Sequence, residues 1–110
     1  MSTQHRGPLS GVTIVDLSRI LAGPYCTFLM AEMGARVIKV EPPKGGDDAR
    51  AYGQFVQGKS TYFASVNRGK ESIALDLKAP GDREIFERLL DKADAVVENF
   101  RPGTMERLGY

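Results

Sequence analysis

Four short apolar runs, separated by helical stretches and one polar loop, constrain what this chain can fold into more than any other feature. They are "VTIVDL" at 12–17, "ARVIKVE" at 35–41, "SIALDL" at 72–77 and "DAVVENF" at 94–100. The first carries β-branched residues, and all four read as strands followed by a turn or breaker. "PYCTFLMAEM", 24–33, stands between the first two, and "PGDREIFERLLDKA", opened by Pro80, stands between the last two. Strand–helix–strand, loop, strand–helix–strand predicts an α/β fold with a Rossmann-like, mainly parallel sheet. Ligands of such a sheet sit outside the carboxyl ends of its strands. Those ends are residues 17–23, 41–48, 76–79 and 98–103.

The two helices differ in character. The first is apolar almost all round, with Glu32 its only charge, which predicts burial on most sides. Pro24 suits the first helical position, where its missing N–H costs nothing, and Gly34 suits the C-terminal cap. In the second, Ile85, Phe86, Leu89, Leu90 and Ala93 share one face and charges fill the other. Ala79 at its N-cap position is a poor capping residue. Residues 1–11 read as an arm, broken by Gly7, Pro8 and Gly11. Residues 44–60 carry Gly45, Gly46, Gly53 and Gly58 without a steady period and read as a long surface loop. "TYFASVN", 61–67, fits a strand or a short helix, and "RPGTMERLGY" starts one more turn or short helix.

A length of 110 residues allows one small domain with one core. No apolar run approaches a membrane span, and the start "MSTQHRGPLSG" has no segment of signal-peptide type, so a cytoplasmic protein is expected. A net charge of +1 gives no electrostatic case for nucleic acid or a membrane surface. Cys26 is the only cysteine and His5 the only histidine, which removes internal disulfides, cysteine-based metal clusters and Ser-His-Asp or Cys-His chemistry.

Individual residues at the strand ends each have two readings. The turn from Ser18 to Pro24 offers amides at a helix N-terminus, which favours an anion. Glu41 stands where a Rossmann protein reads ribose hydroxyls, but "RILAGP" does not fit G-x-G-x-x-G, and a surface strand cap is the plainer role. Cys26 lies in the first turn of its helix, where a dipole lowers a thiol pKa; core packing is the commoner fate of a free cysteine. Asp16 and Asp76 read as functional carboxylates or, more commonly, as caps or ion-pair members. "GGDD" at 45–48 reads as a solvated turn rather than a metal site. Arg101 and Arg107 flank the last turn and suit either solvent or phosphate.

Taken in order, "PLSGVTIVDLSRILAGPYCTFLMAEMGARVIKVEPPKGGDDAR", "YFASVNRGKESIALDLK" and "ADAVVENFRPGTMERLGY" resemble the class III coenzyme A-transferases, the CaiB/BaiF family, from about Pro8 to Tyr110. The resemblance implies an enzyme that moves CoA between carboxylic acids. An aspartate attacks an acyl-CoA thioester to give a mixed anhydride and CoA thiolate; the thiolate returns to form an enzyme–CoA thioester, which passes CoA to the acceptor acid. It also implies a Rossmann-like large domain with a smaller one, two chains interlocked as a homodimer, and no tightly bound cofactor, CoA and acyl-CoA being substrates. The family's CoA contacts fall on Ile20, Leu21 and Ala22, on Leu75 and Lys78, and on Asn99, Phe100, Arg101 and Arg107. Backbone at 20–22 and the Phe100 ring suit adenine and pantetheine, and Lys78, Arg101 and Arg107 suit phosphates.

Departures from the family pattern matter. Formyl-CoA:oxalate transferases carry glutamine where this chain has Leu21 and arginine where it has Pro42. Leu21 thus favours succinyl-CoA and longer dicarboxylates, or other acyl donors. The family's nucleophilic aspartate lies beyond the position matching Tyr110, and Asp16, Asp47, Asp48 and Asp76 do not match it. Residues 1–110 are therefore expected to be the N-terminal CoA-binding part of the large domain, a fragment with no catalytic or metal-ligating residue of its own and inactive alone. Two other readings are the same part of an α-methylacyl-CoA racemase and a non-catalytic, truncated nucleotide-binding remnant. "YFASVNR" before "GK-x-S" favours the transferase over the racemase.

Overall fold

Parallel strands buried on both faces need apolar residues at every position, and the first run meets that need. In the computed structural model, which describes residues 7–110, it forms β1 (Thr13–Asp16) at the centre of the sheet. His5 and the start of the predicted arm lie outside the described residues. Strand β1 pairs in parallel with β2 (Arg36–Glu41) on one side and β6 (Ala95–Val97) on the other, Ile14 lying opposite both Val37 and Ala95. Strand β5 (Glu71–Ala74) adds in parallel outside β2, giving the order β5–β2–β1–β6. The chain builds outward from β1 in one direction, then returns to place β6 on its other side. The seam between β1 and β6 is the topological switch point at which open α/β sheets bind ligands.

Helices cover both faces, so the expected α/β, Rossmann-like architecture holds. On one face Val15, Leu17, Val40, Leu75 and Phe86 form a core backed by Leu89, Leu90, Met105 and Tyr110. Phe86, Leu89 and Leu90 come from α3 (Pro80–Lys92) and Met105 from the short α4 (Thr104–Leu108), with Tyr110 just beyond it. On the other face Ile14, Ala31, Ala35 and Val37 pack with Met30 of α1 (Ala22–Glu32) and with Leu9 and Val12.

The helices also bring corrections. Helix α1 begins at Ala22, so Pro24 is its third residue; the first-turn amides have no intrahelical acceptor, and a missing N–H is harmless there too. The helix is not buried on most sides. Gly23, Pro24, Thr27 and Ala31 face inward, while Leu21, Leu29, Met33 and Tyr25, the last 51% exposed, face outward. Cys26 is exposed with them, contrary to the expected core position. A helix lying on a sheet buries one stripe, however apolar its other sides are. In α3, Phe86 is fully buried and Leu89, Leu90 and Ala93 pack on the core, but Ile85 is 42% exposed at the edge of the stripe. Ala79 makes no side-chain cap, as its composition dictates.

The loop at 44–60 is not structureless. It holds a 3-10 turn (Asp48–Ala51) and a hairpin of β3 (Phe55–Val56) and β4 (Lys59–Ser60). Gln57 and Gly58 both take positive φ at its tip, the geometry of a two-residue turn that matches strand twist. Residues 61–67 resolve as a helix, α2 (Thr61–Asn67), because the Ser60 side chain accepts the Phe63 amide and caps it.

Candidate functional site

The site is built where β1 runs out. Asp16, the last residue of β1, is fully buried and its carboxylate is surrounded by donors. It accepts from the Ser18 amide at 2.9 Å, the Ser18 hydroxyl, Thr27 Oγ1 at 2.6 Å and Lys70 Nζ at 3.0 Å. The Lys70 ammonium also donates to Pro24 O and Asn67 Oδ1, and burial pushes its pKa below the ordinary lysine value against the pull of Asp16. Asp16 is thus a structural member of an ion pair, the commoner of its two readings.

A second buried pair lies beside the first. Lys39 Nζ stands 2.8 Å from Asp47 Oδ2, each side chain 1% exposed, and donates to Ser18 O at 2.9 Å. Asp47 is therefore not part of a solvated turn. Its carboxylate caps the 3-10 turn through the Ala49 amide and accepts the Ile20 amide at 3.1 and 3.3 Å. Ile20 has φ of 73°, a left-handed conformation that costs a β-branched residue about 1–2 kcal/mol. From the other side of the sheet Asn99 clamps the same turn: Oδ1 accepts the Arg19 amide and Nδ2 donates to Arg19 O, both at 2.9 Å. Gly23 completes the packing. A Cβ there would lie 2.2 Å from Ser18 Cβ and 2.7 Å from its Oγ, so only glycine lets α1 come this close to the turn.

Glu41 is neither a ribose reader nor a surface cap. It is buried and binds Arg50 through two hydrogen bonds of 2.8 Å, with Ser72 Oγ and the Asp47 amide as further donors. Burial alone would raise its pKa; the hydrogen bonds from Arg50, Ser72 and Asp47, with the charge of Arg50, outweigh it and hold the group at about 2. The folded pKa is depressed, so the stability Glu41 contributes is complete above its unfolded value of 4.5 and is lost as pH falls toward 2. Urea midpoints are expected to fall steeply below about pH 4.5, and Glu41→Gln should flatten that part of the profile.

Beyond these pairs a cleft of about 220 Å³ opens at the carboxyl ends of β1, β2 and β5 and reaches Phe100 after β6. Leu75, Leu77, Phe100 and Leu108 make it apolar, and Arg19 and Lys78 place two cations on it. Arg19 lies 5.5 Å from the Phe100 ring centroid and pairs with exposed Asp48 at 3.8 Å. Of the residues singled out by sequence, Leu75, Lys78 and Phe100 line the cleft. Ile20, Leu21 and Ala22 continue the turn that borders it, and Asn99 holds that turn rather than facing the cleft. Arg101 and Arg107 are exposed outside it, Arg107 donating to Thr104 Oγ1 next to cleft-lining Leu108. Arg19, Lys39 and Asp47 went unrecognised. A lysine inside an apolar parallel strand was the available signal for Lys39. Among the described residues no cluster of His, Cys, Asp or Glu could hold a metal ion, and no helix is long and apolar enough to cross a membrane.

A strand-end cleft at the switch point marks the chain as an open, parallel-sheet α/β protein with its cleft where that class binds ligands. The family description that matches residues 9–110 is CoA-transferase family III, and the chain belongs to that family. It is 53% identical over 105 residues to an acetyl-CoA:oxalate CoA-transferase of Acetobacter aceti, covering 96% of this chain and 27% of that protein. It is 50% identical to a succinyl-CoA:glutarate CoA-transferase of Mus musculus, covering 93% of this chain and 24% of the relative. A crystal structure of a CaiB/BaiF family protein from Brucella suis superimposes with a TM-score of 0.87 at 43% identity, over 96% of this chain and 29% of that one. The chain thus spans about a quarter of the length of the curated relatives it matches.

Proposed function

We propose that this chain is the CoA-binding N-terminal part of the large domain of an enzyme that passes CoA between carboxylic acids. The observation that carries the proposal is the strand-end cleft, where the Phe100 ring and several leucines meet Arg19 and Lys78 beside the switch point. Phe100 and Leu75 take the adenine, with backbone at Ile20, Leu21 and Ala22 alongside the ligand. Lys78 meets a phosphate, and Arg101 and Arg107 reach phosphates from outside the cleft. The ligand is a CoA thioester acting as substrate, with no tightly bound cofactor.

The chain's own carboxylates leave bond-making to another residue. Asp16 and Asp47 are buried in ion pairs, Asp48 pairs with Arg19 at the surface, and Asp76 accepts the Lys78 amide. In the whole protein a further aspartate supplies the nucleophile, and two chains interlock in the cytoplasm. Leu21 favours succinyl-CoA and longer dicarboxylates, or other acyl donors, over oxalate; the relatives named for oxalate and for glutarate stand at similar overall identity. No feature of the cleft favours the racemase reading.

Calorimetry of the 110-residue chain with CoA tests this. Submillimolar binding is expected, and Phe100→Ala should weaken it about tenfold, the usual cost of removing an aromatic partner from a stacked base. Binding weaker than millimolar, or an unchanged affinity in Phe100→Ala, would overturn the assignment. Succinyl-CoA with glutarate or oxalate should give no turnover on this chain alone.

A further inference from the structure

The turn at 18–20 is held by side chains from three strand ends. Asp16 of β1 accepts the Ser18 amide, Lys39 of β2 donates to Ser18 O, and Asn99 after β6 binds both backbone groups of Arg19. Asp47 accepts the Ile20 amide. A β-branched residue persists in the left-handed region only where its surroundings over-determine it, and such sites gather at ligand clamps. The Lys39–Asp47 pair is also a poor device for stability alone, since buried ion pairs are often replaced by apolar residues at no loss. Here each member uses a further hydrogen bond on the turn: the lysine on Ser18 O, the aspartate on Ile20 N.

We infer that the buried Lys39–Asp47 pair positions the CoA-contacting turn, Asp47 fixing Ile20 in its left-handed conformation so that the backbone of Leu21 and Ala22 is presented to the ligand. Both side chains are 1% exposed and act through the turn. The inference rests on the CoA reading above. It names Asp47 and Lys39 as positioning residues, and the loop carrying Asp47 as the support for the turn.

Two double variants separate positioning from folding. Lys39→Met with Asp47→Asn removes both charges and keeps an oxygen for the Ile20 amide. Lys39→Met with Asp47→Ala removes both charges and the acceptor. At a temperature where both are folded, the alanine double should bind CoA at least tenfold more weakly than the asparagine double. Equal affinities would overturn the inference, because a merely structural pair predicts them. Amide hydrogen exchange on the unmodified chain gives a readout independent of ligand and of either variant folding. The Ile20 amide should be protected like the β1 amides, and exchange at the rate of an exposed loop would also overturn the inference. If the unmodified chain fails to bind CoA while Ile20 is protected, the CoA assignment falls and the positioning of the turn stands.

Discussion

Asp16→Ala is expected to remove about 3–5 kcal/mol of stability, because it leaves Lys70 charged and buried without its partner. The Asp16 and Lys70 side chains are 0% and 2% exposed, so water does not replace the lost carboxylate. Thr27 and Ser18 lose an acceptor in the same stroke. A domain of this size holds about 5–15 kcal/mol in total, so the variant should be largely unfolded under mild denaturant. Circular dichroism across a urea titration reads the effect. Pairing the change with Lys70→Met should recover a good part of the loss, since the unpaired charge is then gone. A single-variant loss under about 1 kcal/mol would mean that the pair is hydrated rather than buried.

The second large effect belongs to Gly23. Gly23→Ala puts a methyl 2.2 Å from Ser18 Cβ and 2.7 Å from its Oγ, distances that force the turn and α1 apart. Overpacking of this kind costs about 1–3 kcal/mol, and CoA affinity should fall with it because the displaced turn is the one that borders the cleft. Ser18→Gly removes the atom struck. The double variant Gly23→Ala with Ser18→Gly should therefore be more stable than Gly23→Ala alone, with a coupling of about 0.5–3 kcal/mol typical of residues in contact. Additive losses would show that the strain is relieved elsewhere.

How much of this was readable beforehand depended on the kind of information each feature carries. The four strands and α3 were legible because burial on two faces, or on one stripe, writes itself into periodicity. The outward face of α1 was not: Tyr25, Cys26 and Leu29 are as apolar as core residues, and no periodicity says what lies beyond a helix. The undecided segment at 61–67 turned on one hydroxyl, Ser60, in the preceding strand. The cleft was legible as a set of strand ends, and Leu75, Lys78 and Phe100 meet there. Its supports were not, since Lys39 and Asp47 sit on either side of a Pro-Pro break and look like surface charges. Their pairing follows from the return of the loop over the sheet, which has no local signature.

The strand order has one more consequence. Among the described residues, strand β6 is a three-residue edge element joined to the sheet on one side. The cleft that Phe100 closes is lined on its other walls by residues around 17 and 75, so any occupant bridges parts of the chain that meet only when β6 is docked. Ligand and edge strand are then thermodynamically linked: a ligand at a hundred times its Kd adds about 2.7 kcal/mol to the docked state. An occupant of the cleft thus acts as a clasp on the edge strand, tying the docking of β6 to its own binding.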